Sequence, residues 1–595
     1  MSKPIFVADF ETTTNPDDCR VWAFAVCNIE EPENVTIGVT IEEFMEWCEA
    51  QEGNPLVLFH NLKFDSHMIM DYLFRNNFKH VHDKKDRATG TFTTLIGDTG
   101  AFYQLEVIFK KKGKRVQKVT FRDSYKLIPI KVADIPRNFG LQESKLELDY
   151  GCHNDLPKGT PLTQHEKDYV SHDVIIVAKA VKFFYNQGMD KMTIGACALD
   201  EYKKIVGKRN FEHWFPQLSL EYDLDVRQSY RGGFTWVNPE IAGKDIKEGI
   251  CLDVNSLYPS QMRSPNNPYP FGVPVFFEGQ YQYDPMHPLY IQMFRCEFEL
   301  KPHKIPTIQI KHSFFADNEY LTSSKGEIVT LCLTSVDYEL FLEQYNVYNP
   351  EFISGWKYKA TVGLFDEYID KWTEAKIKAG KEGKKGMRSI AKLYLNSLYG
   401  KTSARMVGTE KIPFFDEEDN CIKYCFGEPE QRKGWYIACG AFVTSYARRL
   451  TITSGQKMLD DYYAGKSQIF PCYADTDSWH CASPGFKLPE GIEIDPYKLG
   501  AWAYEGRFSD KGQKPGQGAR YLRQKCYIEN LTEDVESDNP EYKLKVTCAG
   551  MTDASHPFVN FDNFHIGSSY PGKLLPQIVP GGIVLKEVDF TIKSH

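Results

Sequence analysis

Several features that would assign the chain to a special class are missing from its 595 residues. No stretch approaches the ~20 consecutive apolar residues that span a bilayer, and the start lacks the apolar core of a signal peptide. The fifteen cysteines are scattered, and the closely spaced Cys421 and Cys425 have no second Cys or His pair to complete a zinc site. The sequence therefore predicts a cytoplasmic protein with reduced thiols.

The chain also lacks an excess of positive charge, since its formal net charge is −9 at pH 7. This excludes a surface coated in basic residues but not nucleic-acid binding, because phosphates are bound by local clusters of Lys and Arg. Such clusters lie at 110–118, 376–388 and 511–525. At ~150 residues per domain, the length predicts about four structural units.

The pattern of apolar residues changes at about residue 190. Before it, strand-like runs at 5–9, 56–59, 102–109 and 119–121 alternate with amphipathic helical stretches, which is an α/β pattern. A helix over 163–185 starts with the spacing of a capping box, Thr163 and Glu166. After it we expect a strand at 248–253, a helical pair at 364–401, a hairpin at 405–434, a strand–turn–strand at 469–482 and a β-rich tail from 549.

Acidic residues in the first part of the chain stand where elements are expected to end. Asp9 and Glu11 end an apolar run, and residues i and i+2 of a strand face the same side. Two buried carboxylates on one face repel unless a cation lies between them. Asp65 follows another strand, while Tyr169 and Asp173 are spaced i, i+4 on the capped helix. Such a group can hold two metal ions and orient a water, which is the chemistry of phosphodiester hydrolysis.

A second set of carboxylates lies in the later part of the chain. Asp253 ends an apolar strand that turns at once into a helix, so its carboxylate and the following backbone N–H groups could bind a metal and a triphosphate together. The ring of Tyr258 would then lie beside the sugar and exclude a 2′-hydroxyl. Asp475 and Asp477 stand at the tip of the expected hairpin, which would present both carboxylates at a fixed place.

One helix between Asp253 and Asp477 carries a polar stripe. The stripe consists of Arg388, Lys392, Asn396 and Tyr399. Its cations can bind a triphosphate and its ring can stack on a base. Gly400 is expected to end this helix. Further on, Lys525 and Tyr527 have the spacing of one strand face, where they would grip the end of a primer strand.

Each of these pieces has a plain structural alternative when it is taken alone. An Asp-x-Glu pair is more often an exposed edge, a Tyr-x-x-x-Asp pair a helix surface, and Asp-Thr-Asp a β-turn. A basic cluster is more often a solvated loop or helix face. The order and spacing of all the pieces together favour the functional interpretation.

Together the segments resemble the motifs of the family B DNA polymerases. That family's three polymerase motifs are matched by Asp253…Ser256-Leu257-Tyr258-Pro259, Lys392…Asn396-Ser397-x-Tyr399-Gly400 and Tyr473-x-Asp475-Thr476-Asp477-Ser478. Its three exonuclease motifs are matched by Asp9-x-Glu11, Asn61…Phe64-Asp65 and Tyr169…Asp173. Six ordered motifs are a specific signal, and they imply a DNA-directed DNA polymerase with a 3′–5′ proofreading exonuclease.

The resemblance narrows to the protein-primed branch, and within it to the strand-displacing replicative polymerases of small Bacillus phages. Tyr230-Arg231-Gly232-Gly233 resembles the linker motif of that branch, and 265–366 and 404–434 stand where it carries two terminal-protein regions. This implies protein-primed initiation and processive, strand-displacing replication of a linear phage genome. The 404–434 insertion would close over template and product as a clamp.

The fold class implied by the resemblance is α/β and α+β multidomain. It comprises an RNase H-like 3′–5′ exonuclease domain and a right-hand polymerase domain of palm, fingers and thumb with two terminal-protein-region insertions. The implied boundaries are 1–190 for the exonuclease domain, 191–264 and 435–548 for the palm, 265–366 and 404–434 for terminal-protein regions 1 and 2, 367–403 for the fingers and 549–595 for the thumb.

The resemblance also implies a role for each matched residue. The catalytic residues would be Asp253, Asp475, Asp477, Asp9, Glu11, Asp65, Tyr169 and Asp173. Nucleotide would be bound by Tyr258, Lys376, Arg388, Lys392, Asn396 and Tyr399, and DNA by Thr12, Asn61, Phe64, Lys145, Tyr230, Arg231, Gly232, Gly233, Lys525 and Tyr527. Metal ligands would be Asp253, Val254, Asp475 and Asp477 at one site, and Asp9, Glu11, Asp65, Glu147 and Asp173 at the other. Arg388 departs from the family's lysine, which keeps the charge but alters its geometry.

The implied cofactor is Mg²⁺, two ions per site, with Mn²⁺ able to substitute. The implied partners are template–primer DNA, dNTPs, a priming terminal protein and a single-stranded DNA-binding protein, for a monomer in the cytoplasm of an infected bacterial host, without a membrane. Three alternatives stay open: a nuclease whose second half only binds nucleic acid, a non-catalytic scaffold that recruits a priming protein, and a polymerase primed by nucleic acid. The six ordered motifs argue against the first, intact carboxylates in both clusters against the second, and the linker motif and insertions against the third.

Overall fold

The computed structural model describes residues 3–113, 115–310 and 319–594. Residues 311–318, in the predicted insertion at 265–366, and Lys114, in the basic cluster at 110–118, lie outside the described residues. Within the described ranges, no helix is both long and apolar enough to cross a membrane.

The first part of the chain forms a mixed sheet with helices packed on it. Its strands are β1 (Ile5–Thr12), β2 (Val21–Asn28), β3 (Glu31–Gly38), β4 (Leu56–Phe59), β5 (Lys79–His80), β6 (Thr91–Ile96), β7 (Phe102–Lys112) and β8 (Arg115–Asp123). Its helices are α1 (Ile41–Ala50), α2 (Leu62–Arg75), α3 (Ile135–Phe139) and α4 (Gln164–Asn186). The strand order is β3-β2-β1-β4-β8-β7-β6-β5, with β4 parallel to both β1 and β8. The α/β pattern predicted for this part is confirmed.

The position of β1 inside this sheet sets the direction of its acidic residues. Val7, Ala8 and Phe10 are buried, and α4 packs against β1 and β2. The predicted capping box of α4 is confirmed: the Thr163 hydroxyl accepts from the Glu166 N–H, and Glu166 Oε2 accepts from the Thr163 N–H at 2.7 Å. β1 and α4 therefore bring their carboxylates together at one edge of the core.

Short helices connect this unit to a central antiparallel sheet. They are α5 (Ile194–Val206), α6 (Lys208–Trp214) and α7 (Leu220–Arg227), followed by β9 (Thr235–Val237), β10 (Asp245–Ile246), β11 (Glu248–Val254) and α8 (Leu257–Arg263). A separate sheet then interrupts the chain, built from β12 (Tyr269–Glu278), β13 (Leu289–Leu300), β14 (Val329–Thr334) and β15 (Tyr345–Thr361), with α9 (Ser335–Gln344) before its last strand. Its strand order is β12-β15-β13-β14.

The predicted helical pair and hairpin follow this sheet and are confirmed. The helices are α10 (Asp366–Lys381), α11 (Lys385–Ser397) and the short α12 (Tyr399–Thr402). The hairpin region contains β16 (Val407–Gly408), β17 (Lys411–Asp416), β18 (Cys421–Phe426) and β19 (Glu430–Gln431). The prediction that Gly400 ends the helix is wrong: the main helix ends at Ser397, and Gly400 lies inside α12, because the chain turns into a further helical turn before it leaves the helix.

The last part of the chain completes the central sheet and adds a terminal hairpin. It contains α13 (Ile437–Tyr463), β20 (Phe470–Asp475), β21 (Ser478–Ala482), β22 (Trp502–Ser509), β23 (Ala519–Arg523), β24 (Cys526–Thr532), β25 (Lys543–Cys548), β26 (Ser569–Val579) and β27 (Gly582–Thr591). The central order is β10-β23-β24-β22-β11-β21-β20-β9, with β25 beside β24. The strand–turn–strand and the β-rich tail are confirmed as β20–β21 and β26–β27.

Helix α13 packs across the back of the central sheet, which explains why it is buried along most of its length. A Cβ at Gly455 would lie 2.1 Å from the ring of Trp479 on β21. Only glycine therefore lets the helix approach the strand that follows Asp477, and the hairpin tip is supported from behind.

A buried ion pair joins α13 to α9. Arg448 Nη2 lies 2.5 Å from Asp337 Oδ2, with side-chain exposures of 4% and 8%. Burial works to raise the pKa of Asp337, but the Arg448 charge holds it below its usual value. Arg448 Nη1 also donates to the carbonyls of Arg231 and Gly232, at 2.7 and 2.8 Å. One guanidinium thus fixes the segment that connects the two halves of the chain.

We expect Asp337→Ala to destabilise this region by ~3–5 kcal/mol, because it leaves a buried guanidinium without its counter-charge. Native-state hydrogen exchange of α9 and α13 measures the loss, since a chain of several units does not unfold in one step. Glu339→Ala is the matched control on the same helix: its partner Arg449 is 2.9 Å away but exposed, so the loss should stay below ~1 kcal/mol. Equal protection in both variants would contradict the argument.

Candidate active sites

The first carboxylate cluster lies between β1 and α4. Ligand oxygens of Asp9, Glu11 and Asp173 all lie within 4.8 Å of one another. Asp65 stands in the first turn of α2, directly after β4, and is 4% exposed. Tyr169, one turn before Asp173 on α4, is buried at 1% exposure. The predicted strand and helix spacing therefore brings these side chains together.

Burial and mutual repulsion dominate the electrostatics of this cluster. Burial, reinforced by the Asp173 charge, raises the pKa of Asp9 to about 7. Burial and the charge of Asp9 also raise the pKa values of Glu11 and Asp65 well above their usual range. Lys145 donates to Asp173 Oδ2 at 2.7 Å and offsets part of this repulsion. The remaining excess of negative charge favours a bound cation.

The donor set of this cluster fits divalent metal ions. Its donors are carboxylate oxygens, the ligands that Mg²⁺ prefers. Asp173 Oδ1 is buried and has no hydrogen-bond partner within the described part of the chain, so a ligand atom is available there. Glu147, by contrast, is exposed on the loop beyond Lys145, and its carbonyl accepts from His165 Nε2 at 3.1 Å. Its predicted metal role stays a prediction.

The predicted single-strand-binding residues surround the cluster. Thr12 ends β1 at a register shift in the pairing with β2. Asn61 has a left-handed φ of 84° and caps α2, and its N–H donates to Asp123 Oδ1 at 3.0 Å. Phe64 is half-buried beside Asp65. Tyr150, which sequence reasoning missed, lies near Tyr169 and adds to the effect of burial in raising the pKa of that tyrosine.

The second cluster is built on the turn between β20 and β21. Thr476 has a left-handed φ of 61°, and the Asp477 N–H donates back to the Asp475 carbonyl at 2.7 Å. Three neighbours hold this turn. They are the Phe234 carbonyl, which accepts from Thr476 N at 2.6 Å, Val254 N, which donates to Asp477 O at 2.7 Å, and Thr451 Oγ1, which donates to Thr476 O at 2.8 Å. Both aspartates are thereby placed by backbone bonds from separate elements.

Asp253 lies opposite this turn, because β11 pairs with β21 so that Asp253 faces Ser478. Burial and then the Asp477 and Glu505 charges raise the pKa of Asp253 to about 8. Burial also raises the pKa of Asp477. As in the first cluster, buried oxygen donors with excess negative charge fit divalent cations.

Glu505 is a carboxylate of this site that sequence reasoning missed. The β11–β22 register pairs Cys251 with Gly506 but Leu252 with Tyr504, so Glu505 is the extra residue of a β-bulge. It is exposed and lines the cleft beside Asp253. A bulge redirects one side chain without any change in the sequence pattern, so no sequence signal pointed to it.

Asp475 has a different environment from the other two aspartates. Both of its carboxylate oxygens lie 3.1 Å from Lys525 Nζ, and the Tyr473 hydroxyl donates to Oδ2 at 3.1 Å. Lys525 N–H in turn donates to the Tyr473 hydroxyl at 3.1 Å. The Asp475 charge is thus balanced by Lys525, whereas Asp253 and Asp477 have no such contact with a cationic side chain among the described residues.

The prediction that Lys525 and Tyr527 share a strand face is wrong. Lys525 lies in the turn between β23 and β24 with a left-handed φ of 53°. Tyr527 is on β24, buried at 7%, with its ring centroid 4.8 Å from that of Tyr473. The two residues still reach the same site. The tight turn directs the Lys525 side chain there, and the alternation of side chains along a strand does not.

A cationic cleft of about 1020 Å³ opens beside Asp253. It is lined by Asn255, Ser256, Lys376, Arg388, Lys392, Tyr497 and Glu505, among others. Burial, together with the Lys392 and Arg388 charges, lowers the pKa of Lys376. Three cations from α10 and α11 that repel one another at one opening are suited to an anion with several charges.

Two aromatic rings close one side of the second cluster. The rings of Tyr258 and Tyr399 are stacked at 4.0 Å with an interplanar angle of 25°. Asn396 is exposed on the same face of α11 as Arg388 and Lys392. The stripe predicted from helical spacing therefore exists, although Tyr399 belongs to the next helical turn.

The linker residues contact the second cluster directly. A Cβ at Gly233 would lie 2.6 Å from two side-chain atoms of Thr476, so glycine is needed beside the turn. The Tyr230 hydroxyl accepts from Ser403 Oγ at 3.1 Å. The carbonyls of Arg231 and Gly232 accept from Arg448. The linker motif therefore supports the aspartates as well as joining the halves of the chain.

Comparison with known proteins decides the family. A model of the DNA polymerases of type B, organellar and viral, matches residues 48–160 and 154–483. This chain belongs to that family. It is 42% identical to the DNA polymerase of Bacillus phage phi29 over 605 positions, covering all of both chains.

Solved structures agree with this assignment. The phi29 DNA polymerase complexed with primer-template DNA and incoming nucleotide substrates matches with a TM-score of 0.90 at 41% identity, over all of both chains. The same polymerase complexed with single-stranded DNA matches with a TM-score of 0.90 at 40% identity, again over all of both chains. The predicted family and fold class of this type B polymerase are confirmed, with an exonuclease and a polymerase domain.

The linker contact yields a test of the polymerase turn. We expect Gly233→Ala to lower the rate of primer extension by ~10–100-fold, because the new methyl displaces Thr476 and misplaces the flanking aspartates. Adding Thr476→Gly removes the clash and keeps the left-handed turn, so the double variant should recover part of the rate. Gly232→Ala is the matched control, since a Cβ at that position would meet nothing within 4 Å. No difference between the two glycine variants would contradict the argument.

Proposed function

We propose that this DNA polymerase extends a primer at Asp253 and Asp477 and removes mispaired 3′ ends at Asp9, Glu11, Asp65 and Asp173. The observation that carries the proposal is the pairing of the second carboxylate cluster with a cationic cleft. A triphosphate needs both the cations and the carboxylates, whereas hydrolysis of a phosphodiester needs only carboxylates and a water.

At the polymerase site, each side chain would have a separate role. Asp253 and Asp477 would hold two Mg²⁺ ions, and Val254 would add its backbone oxygen. Bound Mg²⁺ would supply Lewis-acid activation of the primer 3′-hydroxyl and neutralise the leaving pyrophosphate. Lys392, with Arg388 and Lys376, would orient the triphosphate for in-line attack. Asp475, held on Lys525, would help to keep the primer end in line.

The two stacked rings account for substrate selection. A nucleotide that enters the cleft would meet Tyr258 at its sugar and Tyr399 at its base. The bulk of Tyr258 would leave no room for a 2′-hydroxyl, and the ring of Tyr399 would stack on the nascent base pair. Their stacking at 4.0 Å supports this, since the two rings lie side by side and the Asp477 charge acts on both hydroxyls.

At the exonuclease site, the buried Tyr169 and the half-buried Lys145 would support the carboxylates. Asp9, Glu11, Asp65 and Asp173 would hold two Mg²⁺ ions, and the Tyr169 hydroxyl would place the attacking water. The Lys145 ammonium group, 2.7 Å from Asp173 Oδ2, would also contact a phosphate of the bound DNA. Thr12, Asn61 and Phe64 would hold the 3′ single strand at the entrance.

The two sites should be separable by mutation. Asp475→Ala with Asp477→Ala is expected to lower primer extension by at least ~10³-fold, as when residues that act as a unit are removed, and to leave digestion of single-stranded DNA intact. Asp9→Ala with Glu11→Ala is expected to do the reverse. Gel assays of both activities measure this.

The matched control is Glu536→Ala with Asp538→Ala, which removes two exposed carboxylates of the same spacing. Both activities should survive it within twofold. Retained synthesis in the first variant, or digestion at the normal rate in the second, would refute the assignment of that site.

Contacts between distant segments support a processive, strand-displacing mode. The β17–β18 hairpin reaches helix α2, where the Tyr424 hydroxyl lies 2.9 Å from His67 Nε2 and Arg75 Nη1 donates to Asn420 Oδ1 at 3.0 Å. The tip of the terminal hairpin also docks on α2, with Gly581 N donating to Asp71 Oδ1 at 3.1 Å. Segments that close on one another around DNA would retain it and force the downstream strands apart.

We propose the domain boundaries that the resemblance to protein-primed polymerases implies. They are 1–190 for the exonuclease, 191–264 and 435–548 for the palm, 367–403 for the fingers and 549–595 for the thumb. The insertions at 265–366 and 404–434 would be terminal-protein regions 1 and 2, and the linker at 230–233 would bind DNA. In this mode of replication the protein would act as a monomer in the cytoplasm of a bacterial host. Its partners would be a terminal protein and a single-stranded DNA-binding protein.

Primer extension on circular single-stranded DNA tests this mode. With dNTPs, Mg²⁺ and no accessory protein, we expect products many times longer than the circle, because the clamp holds the template while the strand ahead is displaced. Deleting 411–426 should shorten products to about one circle, while a short linear primer is still extended.

A second experiment tests protein priming. With a purified terminal protein in place of the primer, a labelled dNMP should become attached to that protein. If the protein stays unlabelled, the primer is a nucleic acid.

A further inference from the structure

Two cysteines meet at the junction of the central sheet and the terminal unit. Cys526 opens β24 and Cys548 ends β25, and the antiparallel register places them directly opposite each other. Their Sγ atoms are 3.2 Å apart, and the side chains are 0% and 7% exposed. Sequence spacing gave no sign of this pair, because the two residues are joined only by the strand pairing.

The backbone geometry around the pair suits a disulfide. Ala549 N donates to the Lys525 carbonyl at 2.8 Å, so the hydrogen bond of the ladder flanks the cysteine pair. Cys526 and Cys548 therefore occupy a non-hydrogen-bonded position, where Cα atoms are ~4.5 Å apart and side chains are closest. This falls within the range that a disulfide spans, and the sulfurs need only a small rotation to bond.

We propose that Cys526 and Cys548 are a modification site that a peroxide converts reversibly into a disulfide. The Cys548 thiolate would attack one peroxide oxygen, break the O–O bond and become a sulfenic acid, while the other oxygen leaves as hydroxide and takes up the proton released by the Cys548 thiol to form water. The Cys526 sulfur would then attack the sulfenic sulfur, forming the S–S bond and releasing a second water. In sum, two thiols lose two hydrogen atoms and one hydrogen peroxide is reduced to two waters.

The surroundings favour Cys548 as the thiol that reacts first. The hydrogen bond between the Cys526 and Cys548 thiols, with help from the Arg523 charge, lowers the pKa of Cys548 despite its burial. Burial raises the pKa values of other interior thiols, such as Cys48, Cys439 and Cys481. A thiolate beside a second thiol is the arrangement in which a sulfenic acid is captured before further oxidation.

The disulfide would fix a junction that matters to both neighbouring units. Cys526 directly follows Lys525, which contacts Asp475, and both cysteines pack in one apolar cluster with Phe561, Phe564 and Tyr570 of the terminal unit. Oxidation would join the lysine turn covalently to the strand that leads into this unit. The amides of β24 and β25 would then exchange more slowly with solvent deuterium than in the reduced protein.

Peptide mapping of the full-length protein tests the proposal. The protein is first fully reduced, then treated with hydrogen peroxide, blocked with an alkylating reagent and digested. We expect a cross-linked peptide pair containing Cys526 and Cys548, lighter by two hydrogen atoms than the two free peptides, which disappears on treatment with dithiothreitol. This experiment uses only the protein without substitutions, so its outcome does not depend on whether a variant folds.

Variants give the matched control. Cys548→Ala should abolish the cross-linked pair and leave Cys526 free for alkylation. Cys425→Ser, which removes a thiol that is exposed, should leave the pair unchanged. Recovery of Cys526 and Cys548 as alkylated or over-oxidised residues, or equal deuterium exchange of β24 and β25 in both states, would overturn the proposal.

Discussion

Repulsion between carboxylates that are held together away from water is the interaction on which the rest of this structure depends. Burial, reinforced by this repulsion, raises the pKa of Asp9 to about 7 and that of Asp253 to about 8. Left to itself, such a cluster would separate or take up protons. It persists because the carboxylates of each cluster are held on more than one rigid element, such as β1, α2 and α4 in the first cluster, and divalent cations would offset the repulsion.

The rigidity comes from bonds that are remote in sequence. The Asp475–Asp477 turn is held by Phe234, Val254 and Thr451, each through one hydrogen bond to the backbone of the turn. Behind it, Arg448 spans α9, α13 and the linker, and glycines at 233 and 455 allow close approach where any side chain would clash. The catalytic geometry is therefore a property of the packing of the whole polymerase domain, and the motif residues alone do not determine it.

Much of the fold and of both clusters could be predicted from the sequence, because their signals are local. Strand alternation placed Asp9 beside Glu11, helical spacing placed Tyr169 beside Asp173, and the Thr163–Glu166 capping box marked the start of α4. The spacing of residues could not show which of these local pairs belong to the same site. The resemblance to known motifs predicted that.

What the sequence could not show depends on pairing between distant strands. Glu505 reaches the site through a bulge whose register is set by β11, and Lys525 through a turn whose φ is left-handed. Cys526 and Cys548 meet only because β24 pairs with β25. The prediction for Gly400 failed for a related reason: whether a glycine ends a helix depends on where the next segment packs.

Helix α2 shows how the exonuclease and polymerase domains share one framework. Its first turn carries Asp65, while later turns bind Tyr424 of the β17–β18 hairpin through His67 and the terminal hairpin through Asp71. A Cβ at Gly582 would lie 2.2 Å from the Met68 sulfur, so the terminal hairpin sits closely against the same helix. A shift of the exonuclease unit relative to either hairpin must break these contacts. The segments that would enclose DNA are therefore anchored on the element that also positions Asp65 of the first carboxylate cluster, which would tie the grip on DNA to the geometry of that cluster.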